Sequence, residues 1–287
     1  MSACALCPRR CGADRAKGEV GFCGADSTVR IARAAPHYWE EPCLSGSRGS
    51  GTVFFVGCSL GCVFCQNRAI RSPEAGHPVS TEELAAVFRD LEGQGVHNLN
   101  LVTATHHTEA VAAALKLARP TIPVVWNSGG YELPATLARL KGLVDVYLPD
   151  YKFADAATAA ALAGAPDYPE VALAAIAEML SQVGEPVFDA EGMLTRGVLV
   201  RHLVLPGHAD GSMKALRRLR ETFGDRVLIS VMSQYTPMPG MAPPLDRPVS
   251  EDEYELVLDY ADALGITAGF RQEVGAVGES FIPDFEV

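Results

Sequence analysis

The chain has 287 residues, 48% of them hydrophobic and 21% charged, so it can bury one large core or two smaller ones. Its net charge of -11 argues against a nucleic-acid-binding protein, because neutralising phosphates requires a basic face. No apolar run approaches the length that spans a bilayer, and the first residues lack the features of a signal peptide. We therefore expect a cytoplasmic protein that binds neither nucleic acid nor membrane.

Residues 1–49 are rich in glycine, arginine and cysteine and contain one apolar stretch, 29–35, so we expect an N-terminal extension that needs a metal to fold. From residue 50 onward, short apolar runs alternate with amphipathic stretches of helical length. The strands predicted from the apolar runs are 52–56, 99–103, 123–127, 144–149, 197–205 and 227–232. The predicted helices are 81–94, 109–117, 134–141, 170–183, 212–223 and 251–264.

This alternation predicts an α/β fold with parallel strands joined by right-handed crossovers. Six units with polar residues after nearly every strand favour a partial (β/α)6 TIM-like barrel over an open doubly wound sheet. We expect the barrel to span residues 50–250, with residues 251–287 forming a C-terminal helix and tail packed on it. In such barrels the functional residues lie at the carboxyl ends of the strands.

The eight cysteines are unevenly distributed. They are too few for a disulfide scaffold in a chain this long, and a cytoplasmic location would keep them reduced. Cys4, Cys7, Cys11 and Cys23 form one group, and Cys58, Cys62 and Cys65 form another. Cys43 lies alone between them, and no role is predicted for it. Clustered reduced thiols indicate metal binding.

The second group follows the first barrel strand directly, within residues 57–67. Three thiolates at this spacing can hold one 4Fe-4S cluster, whose full ligation would take four cysteines, so one iron stays open. That iron can chelate S-adenosylmethionine and pass an electron to its sulfonium, which yields a 5′-deoxyadenosyl radical for hydrogen abstraction. A structural zinc site is the alternative, but it normally needs four ligands, and His77 is the nearest extra candidate.

The spacing Cys-x3-Cys-x-aromatic-Cys, with Phe64 as the aromatic residue, resembles the loop of the radical S-adenosylmethionine superfamily. Residues 55–67 are similar to the branch of pyruvate formate-lyase activating enzymes, and this similarity continues through most of residues 50–240. The resemblance implies the partial barrel, the cluster and S-adenosylmethionine as cofactors, and a flavodoxin- or ferredoxin-type electron donor.

The resemblance also implies contacts at the later strands. Asp150 and Lys152 look like the Asp-x-Lys that contacts the amino acid end of the cofactor and the reacting centre, although a buried ion pair is the alternative. Arg201 begins a segment similar to the Arg-x-Val-Val-x-Pro-Gly strand of the branch, which implies contact with the cofactor carboxylate. A purely structural arginine is the alternative there.

Residues 103–108 depart from the branch, because Thr-Ala-Thr-His-His-Thr replaces a Gly-Gly-Glu turn that binds the cofactor amine. Backbone carbonyls or the hydroxyls of Thr103 and Thr105 must then bind the amine. His106 and His107 should point to opposite sides of a strand, so we expect one of them, with His106 as the candidate, to face the cavity. A core or surface histidine is an equally good interpretation.

A second departure is Ser233-Gln234-Tyr235, which stands where the activating enzymes carry a Tyr-His pair near the cofactor. Tyr235 would take the place of the histidine, and Gln234 is the polar residue at that strand end. Asn127 and Ser128 are candidates to hold the ribose hydroxyls, although Asn-Ser-Gly-Gly is also typical of an ordinary turn.

The four cysteines of the first group are enough for a structural zinc site or a second 4Fe-4S cluster. Free thiols, or thiols that take part in catalysis or substrate capture, are the alternatives. This segment resembles an N-terminal extension found in relatives of the activating enzymes, and it is absent from the simplest of them.

The sequence therefore predicts a radical enzyme whose substrate stays open. The resemblance suggests a glycine on a glycyl-radical enzyme, whereas a peptide or a small metabolite fits equally well. A non-catalytic iron-sulfur electron carrier or redox sensor is the alternative from another class. The polar residues after successive strands favour an enzyme, because a carrier does not need a cavity.

Overall fold

The computed structural model describes residues 4–272 and residue 285. Its strands are β1 Arg30–His37, β2 Ser50–Phe55, β3 His77–Pro78, β4 Leu99–Val102, β5 Val124–Ser128, β6 Val146–Pro149, β7 Val187–Phe188, β8 Leu194–Leu203, β9 Leu228–Met232 and β10 Gly269–Arg271. Its α-helices are α1 Pro42–Ser45, α2 Thr81–Gly93, α3 Thr108–Ala118, α4 Pro134–Leu137, α5 Ala156–Ala163, α6 Tyr168–Val183, α7 Ala209–Phe223 and α8 Glu251–Ala263. None of these helices is both long and apolar enough to cross a membrane.

The strands form one sheet in the order β10-β9-β8-β6-β5-β4-β2-β1-β3, and β7 pairs with β8. All neighbours from β10 to β2 are parallel. The six predicted strands are β2, β4, β5, β6, β8 and β9, and helices separate them, so the predicted α/β partial barrel is confirmed. β10 adds a seventh parallel strand that the sequence did not predict.

The N-terminal segment contributes a strand to the same sheet. β1 contains most of the apolar stretch 29–35 and runs antiparallel to β2, with Ala35 opposite Thr52. The predicted boundary at residue 49 therefore falls between two paired strands. At the other end, residues 273–284 and 286–287 of the predicted tail lie outside the described residues.

Serine caps start two of the helices that the sequence predicted. Ser80 accepts the backbone N–H of Glu83, whose carboxylate accepts the N–H of Ser80 in return. Ser250 and Glu253 make the same reciprocal pair at the start of α8. These local hydrogen bonds explain why both helix starts agree with the prediction.

The sheet has a helix-covered face and a concave face that encloses the barrel lumen. Side chains alternate between the two faces along each strand, so Leu99 and Leu101 pack under the helices while Asn98 and Asn100 point into the lumen. A separate apolar cluster fills the lower lumen and comprises Cys43, Leu44, Val125, Val146, Leu148, Leu194, Leu199 and Leu228. The first two belong to α1, so residues 42–45 occupy the interior of the barrel. The amide of Asn98 donates to the carbonyl of Leu44 at 2.8 Å and fixes α1 there.

Candidate functional site

A cavity of about 220 Å³ opens at the carboxyl ends of the parallel strands. The three-cysteine loop forms one wall. The predicted residues that line the cavity are Cys58, Cys62, Phe64, Cys65, Thr103, Asn127, Ser128, Asp150, Lys152, Arg201 and Gln234. His37, Trp39 and Glu40, for which the sequence predicted no role, line it as well. The location agrees with the rule that barrels place their functional residues at this edge.

The cysteine loop starts at Gly57 in a conformation that requires glycine. Gly57 has a φ of +94°, and a side-chain carbon there would lie 2.5 Å from the carbonyl oxygen of Cys23. That same oxygen accepts the backbone N–H of Cys58 at 2.9 Å. The amino-terminal cysteine segment therefore contacts the backbone of the first cysteine in the loop directly.

Arg9 ties the N-terminal segment to the other end of the same loop. Its guanidinium donates to the carbonyl oxygens of Ser59 at 3.1 Å, Leu60 at 2.8 Å and Ala163 at 2.7 Å, and also to that of Gly164. Because a guanidinium has five donors in a fixed plane, it can hold several carbonyls in one arrangement. The loop is thus fixed between residues 4–24 and the end of α5.

The thiols of this loop have the chemistry of metal ligands. Burial raises the pKa of Cys62 to about 12 and that of Cys65 to about 11, although the nearby Lys152 opposes both shifts. The protein alone therefore keeps these thiols protonated at neutral pH, and a bound metal centre would supply the charge that ionises them. The N–H of Leu60 lies 3.4 Å from the sulfur of Cys58, as a donor to that ligand. Three soft donors on one wall of the cavity fit an iron-sulfur cluster.

Lys152 and Asp150 form a partly buried ion pair beside the loop. The ammonium lies 2.6 Å from the carboxylate of Asp150. Burial lowers the pKa of Lys152, but Asp150 and the thiols of Cys62 and Cys65 outweigh it, so the net pKa is raised and the ammonium stays charged. The hydroxyl of Tyr168 accepts the backbone N–H of Lys152 at 2.9 Å and lies 2.9 Å from the carbonyl oxygen of Asp150. Tyr168, on α6, is a supporting residue that no local pattern predicted.

Arg201 lines the cavity, but its partners are carboxylates of this chain. It donates to Glu41 through Nε at 2.9 Å and Nη2 at 2.7 Å, and Nη2 also contacts Glu40. Burial raises the pKa of Glu41 and lowers that of Arg201, so each buried group needs the other as its counter-charge. If Arg201 binds the cofactor carboxylate as predicted, it does so while it also pairs with Glu40 and Glu41.

Thr103 has a strained backbone at the edge of the cavity. Its φ is +60°, a left-handed conformation that is a genuine outlier for a β-branched residue. Its N–H donates to the carbonyl of Asn127 at 2.8 Å, which fixes the turn. Such strain is concentrated at binding and catalytic sites, so it agrees with the prediction that this turn contacts the cofactor.

Residues 105–107 do not line the cavity, contrary to expectation. They form a 3-10 turn rather than a strand, so His106 and His107 are both buried and neither faces the cavity. His106 Nε2 lies 2.7 Å from the carbonyl oxygen of Val56, and the Thr105 hydroxyl donates to Glu132 at 2.8 Å. The predicted cofactor contacts of the Thr105 and His106 side chains are therefore replaced by contacts within the protein.

Tyr235 is also directed away from the cavity. It is 1% exposed, and its hydroxyl donates to the carbonyl oxygen of Leu245 at 2.6 Å. The preceding residue, Gln234, lines the cavity instead. The cofactor contact of Tyr235 stays a prediction, and Gln234 is the one of the two that lines the cavity.

The four N-terminal cysteines lie near one another, because Cys4, Cys11 and Cys23 each contribute to raising the pKa of Cys7. A side-chain carbon on Gly21 would lie 3.1 Å from the sulfur of Cys11 and 3.6 Å from that of Cys23. Within residues 4–272, no three His, Cys, Asp or Glu side chains are arranged to hold a single metal ion, and this applies to the cluster loop as well as to the N-terminal cysteines. Burial raises the pKa of Cys7 to about 11, whereas backbone N–H groups outweigh burial at Cys11 and lower its pKa.

Solved structures with a similar fold include methylornithine synthase (PylB), at a TM-score of 0.49 and 15% identity over 80% of this chain and 73% of that one. Streptococcus suis SuiB bound to its precursor peptide SuiA has a TM-score of 0.50 and 14% identity over 75% of this chain and 46% of that one. At these identities the likeness concerns the fold alone. The branch of pyruvate formate-lyase activating enzymes is not among these findings and stays a prediction.

Among curated proteins, the uncharacterized protein MJ0674 of Methanocaldococcus jannaschii is 29% identical over 270 residues, which are 90% of this chain and 74% of that protein. The sequence model of the Radical SAM superfamily matches residues 52–241, more than half of the chain. The match includes the three-cysteine loop and every barrel strand from β4 to β9. The chain therefore belongs to the radical SAM superfamily, and this membership implies an enzyme that uses a 4Fe-4S cluster and S-adenosylmethionine.

Proposed function

We propose that the protein abstracts a hydrogen atom from a small organic substrate held in the strand-end cavity. The supporting observation is that three cysteines, Cys58, Cys62 and Cys65, line this cavity together with polar side chains from the ends of five strands, β4, β5, β6, β8 and β9. When bound, the cluster and S-adenosylmethionine supply the one-electron cleavage that generates a hydrogen-abstracting 5′-deoxyadenosyl radical.

The residues around the loop would bind and orient the cofactor. The Lys152 ammonium is charged and stands next to Cys62 and Cys65, where it can pair with a carboxylate. Asn127 and Ser128 offer amide and hydroxyl groups at the end of β5. The strained turn at Thr103 would present backbone carbonyls to an amine.

Apolar side chains would keep water from the reacting centre. Leu60 is 1% exposed, Phe64 is 5% exposed, and both line the cavity. Phe64 packs edge-on against Phe153 and Tyr235, which holds its ring in place. Such a wall limits quenching of a reactive intermediate by solvent.

A small molecule suits the cavity better than a protein segment, because residues 39–45 close its floor. α1 fills the lower lumen, and Glu40 and Trp39 stand above it. Activation of a glycyl-radical enzyme stays a prediction from the resemblance, and no contact within the described residues supports it specifically.

The experiment is anaerobic incubation of the reconstituted protein with S-adenosylmethionine and a strong reductant. We expect 5′-deoxyadenosine to form, and we expect Cys62→Ala to lose both this product and the iron of the cluster. Cys43→Ala is the matched control, because Cys43 is equally buried but belongs to α1. Equal product from both variants would contradict the proposal.

We further propose that Cys4, Cys7, Cys11 and Cys23 hold a second metal centre. Cys7 and Cys11 each receive the backbone N–H of the residue two positions later, whereas the Cys23 thiol donates to the carbonyl oxygen of Ala25 at 3.9 Å. Backbone N–H donors favour the thiolate, which is the form that binds metal. The same relation recurs in the cluster loop, where the N–H of Leu60 points at Cys58.

Metal analysis of a variant with Cys58, Cys62 and Cys65 all changed to alanine tests the second centre. We expect this variant to retain metal, as either one zinc or an iron-sulfur cluster, and sulfide analysis separates the two. A further Cys11→Ala change should then lower the retained metal. A metal-free triple variant that is still folded would contradict the second centre.

We also propose a flavodoxin- or ferredoxin-type electron donor that docks beside the loop. Apolar and basic groups flank the loop. Phe22 and Val63 are each 48% exposed. The guanidinium of Arg71 stands next to Gly61, since its Nη2 would lie 2.8 Å from a side-chain carbon placed on that glycine. An acidic donor would complement this surface. A Phe22→Glu variant should reduce electron transfer from flavodoxin but not from dithionite. An equal loss of electron transfer from both donors would contradict the docking site.

A further inference from the structure

A second cavity, of about 510 Å³, opens at the amino-terminal ends of the parallel strands. It lies between the residues that follow α1, the start of β4, the turn from β7 to β8, and β10. Its walls include the apolar side chains of Cys43, Phe188, Met193 and Phe270 and the polar ones of His97 and Glu191. None of these residues lines the strand-end cavity, which is at the opposite end of the barrel.

His97 brings a buried hydrogen-bond donor to this second cavity. The residue is 8% exposed, and Arg48 Nη2 lies 2.9 Å from its Nδ1. Because a guanidinium can only donate, Nδ1 is the acceptor and the ring proton is on Nε2. Burial and Arg48 lower the pKa of His97, so the ring is neutral and this assignment holds at neutral pH. The Nε2–H group itself has no hydrogen-bond partner.

The free donor faces the part of the cavity wall beside Gly46. A side-chain carbon on Gly46 would lie 2.6 Å from Nε2 of His97 and 2.9 Å from Sδ of Met193, and all three residues line the cavity. Gly46 has no side chain to block the approach, and the Met193 thioether is flexible enough to move aside. An oxygen atom of a bound molecule can therefore reach Nε2 from the cavity.

The missing partner is an acceptor rather than a metal ion. The nitrogen that faces the cavity carries the proton, whereas a metal would need its lone pair. A metal-binding imidazole also donates its other N–H to an acceptor, but Nδ1 of His97 accepts from the Arg48 cation instead. A buried donor without a partner costs free energy that an acceptor oxygen would recover.

The walls of the cavity suit an apolar body behind that oxygen. Phe188 is 44% exposed at the rim although it is a large aromatic residue, and Phe270 lies on β10. The turn beside Phe188 is fixed, because the carboxylate of Asp189 accepts the N–H groups of Glu191 and Met193 at 2.9 Å each. Apolar walls with one convergent polar group are typical of small-molecule sites.

The charges at the polar end admit either a neutral or an anionic oxygen. Arg48 Nη2, the group that contacts His97, also lies 3.9 Å from a carboxylate oxygen of Glu191. A cation and a carboxylate thus stand side by side next to the free donor. Amide and carboxylate ligands share the acceptor that His97 requires, and they differ only in how they interact with this pair.

We propose that this second cavity binds an apolar small molecule through a carbonyl-type oxygen, of an amide or a carboxylate, that accepts the Nε2–H of His97. This site goes beyond the proposed function, since it is at the other end of the barrel from the cysteine loop and takes no part in the radical reaction. The bound molecule would lie against α1, whose Cys43 lines the cavity.

The test uses three six-carbon probes, namely hexanamide, hexanoate and hexylamine, titrated into the protein by ligand-observed NMR. The first two carry an acceptor oxygen, whereas the ammonium group of hexylamine can only donate. We expect the tighter of the two oxygen-bearing probes to bind at least about 5-fold more tightly than hexylamine, and the ratio between them identifies the preferred ligand charge. Equal or tighter binding of hexylamine would overturn the proposal and would leave the His97 donor to water.

His97→Phe keeps a ring at this position but removes the donor, so the preference over hexylamine should disappear. His97→Gln can accept from Arg48 through its oxygen and present an N–H to the cavity, so it should restore part of the preference. His77→Phe, at an exposed histidine, is the control and should leave the preference unchanged. An unchanged preference in His97→Phe would overturn the proposal.

A second pair of variants tests the place of binding without disturbing buried residues. Phe188→Ala should weaken the tighter oxygen-bearing probe about 3-fold or more, because Phe188 forms the rim of the cavity. Val187→Ala is the matched control, since Val187 is 50% exposed but does not line the cavity. Equal affinities of these two variants would place the probes elsewhere and would overturn the proposal.

Discussion

Glu132 joins the two strand ends that carry much of the cavity wall. Its carboxylate is 1% exposed and accepts three side-chain donors, Trp126 Nε1 at 2.9 Å, Thr105 Oγ1 at 2.8 Å and Ser128 Oγ at 2.5 Å. The donors come from β5 and from the turn after β4, and Ser128 also lines the cavity. We predict that Glu132 fixes these ends relative to each other.

Replacement by leucine leaves three buried donors without an acceptor. Each such loss costs about 1 to 3 kcal/mol, and two of the donors are hydroxyls that can rotate towards other acceptors, so we expect a total of about 3 to 5 kcal/mol. At about 2 to 4 °C per kcal/mol for a chain of this size, the melting temperature should fall by about 6 to 20 °C. Glu132→Gln keeps one acceptor oxygen and should cost about 1 to 2 kcal/mol.

The pH dependence follows from the direction of the shift. Burial raises the pKa of Glu132 and outweighs the three hydrogen bonds that favour its ionised form. A carboxyl whose pKa is raised by folding contributes stability that is complete below its unfolded value, about 4.3, and is lost as pH rises through the folded value. Glutamine does not titrate, so the deficit of Glu132→Gln relative to the native protein should shrink as pH is raised from 4.

Thermal unfolding followed by circular dichroism at several pH values measures both effects. The matched control is Glu92→Leu, since Glu92 accepts two hydrogen bonds from Thr121 at the surface, where water can replace them. We expect this control to melt within about 2 °C of the native protein. The reasoning is refuted if Glu132→Leu melts as high as the control, or if the Gln deficit grows with pH.

Gly57→Ala should lower the amount of iron bound by the cysteine loop, because the new side-chain carbon would lie only 2.5 Å from the Cys23 carbonyl oxygen. Gly18→Ala is the control, since Gly18 has a similar φ of +82° but no atom within 4 Å of such a carbon. Iron and acid-labile sulfide per chain measure this difference, and equal loss in both variants would assign the effect to backbone strain alone. Arg9→Ala should remove the donor that ties two loop carbonyls, those of Ser59 and Leu60, to the end of α5, and should increase the rate of cluster loss in air several-fold, as followed by absorbance. Arg89→Ala, at an exposed helix position, is its control, and a matching rate would show that the clamp has no effect.

Local patterns predicted the features that depend on neighbouring residues. The spacing of Cys58, Cys62 and Cys65 fixes how three thiols can meet one cluster, and the alternation of apolar runs with amphipathic stretches fixes the strands and helices. The capping box at Ser80 and Glu83 likewise depends on residues three positions apart. Such features need no information from the rest of the chain.

The position of Thr105 and His106 outside the cavity lining depends on a turn that hydrophobic periodicity does not reveal. A strand was expected to continue through residue 103, but Thr103 turns into a left-handed conformation and a 3-10 turn follows. The side chains of Thr105 and His106 then point into the protein rather than into the cavity. The left-handed Thr103 is held by a backbone hydrogen bond to a neighbouring strand, which no local pattern encodes.

By itself the sequence determined the barrel, the cluster loop and the superfamily. Only the tertiary structure showed that Glu41 and Arg201, 160 residues apart, meet at the cavity floor, and that the Cys23 carbonyl holds the Cys58 amide. The physical reason is that contacts between residues so far apart in sequence depend on the combined geometry of several strand-to-strand connections. Hydrophobic periodicity and motif spacing describe only the few residues that share one turn, strand or loop.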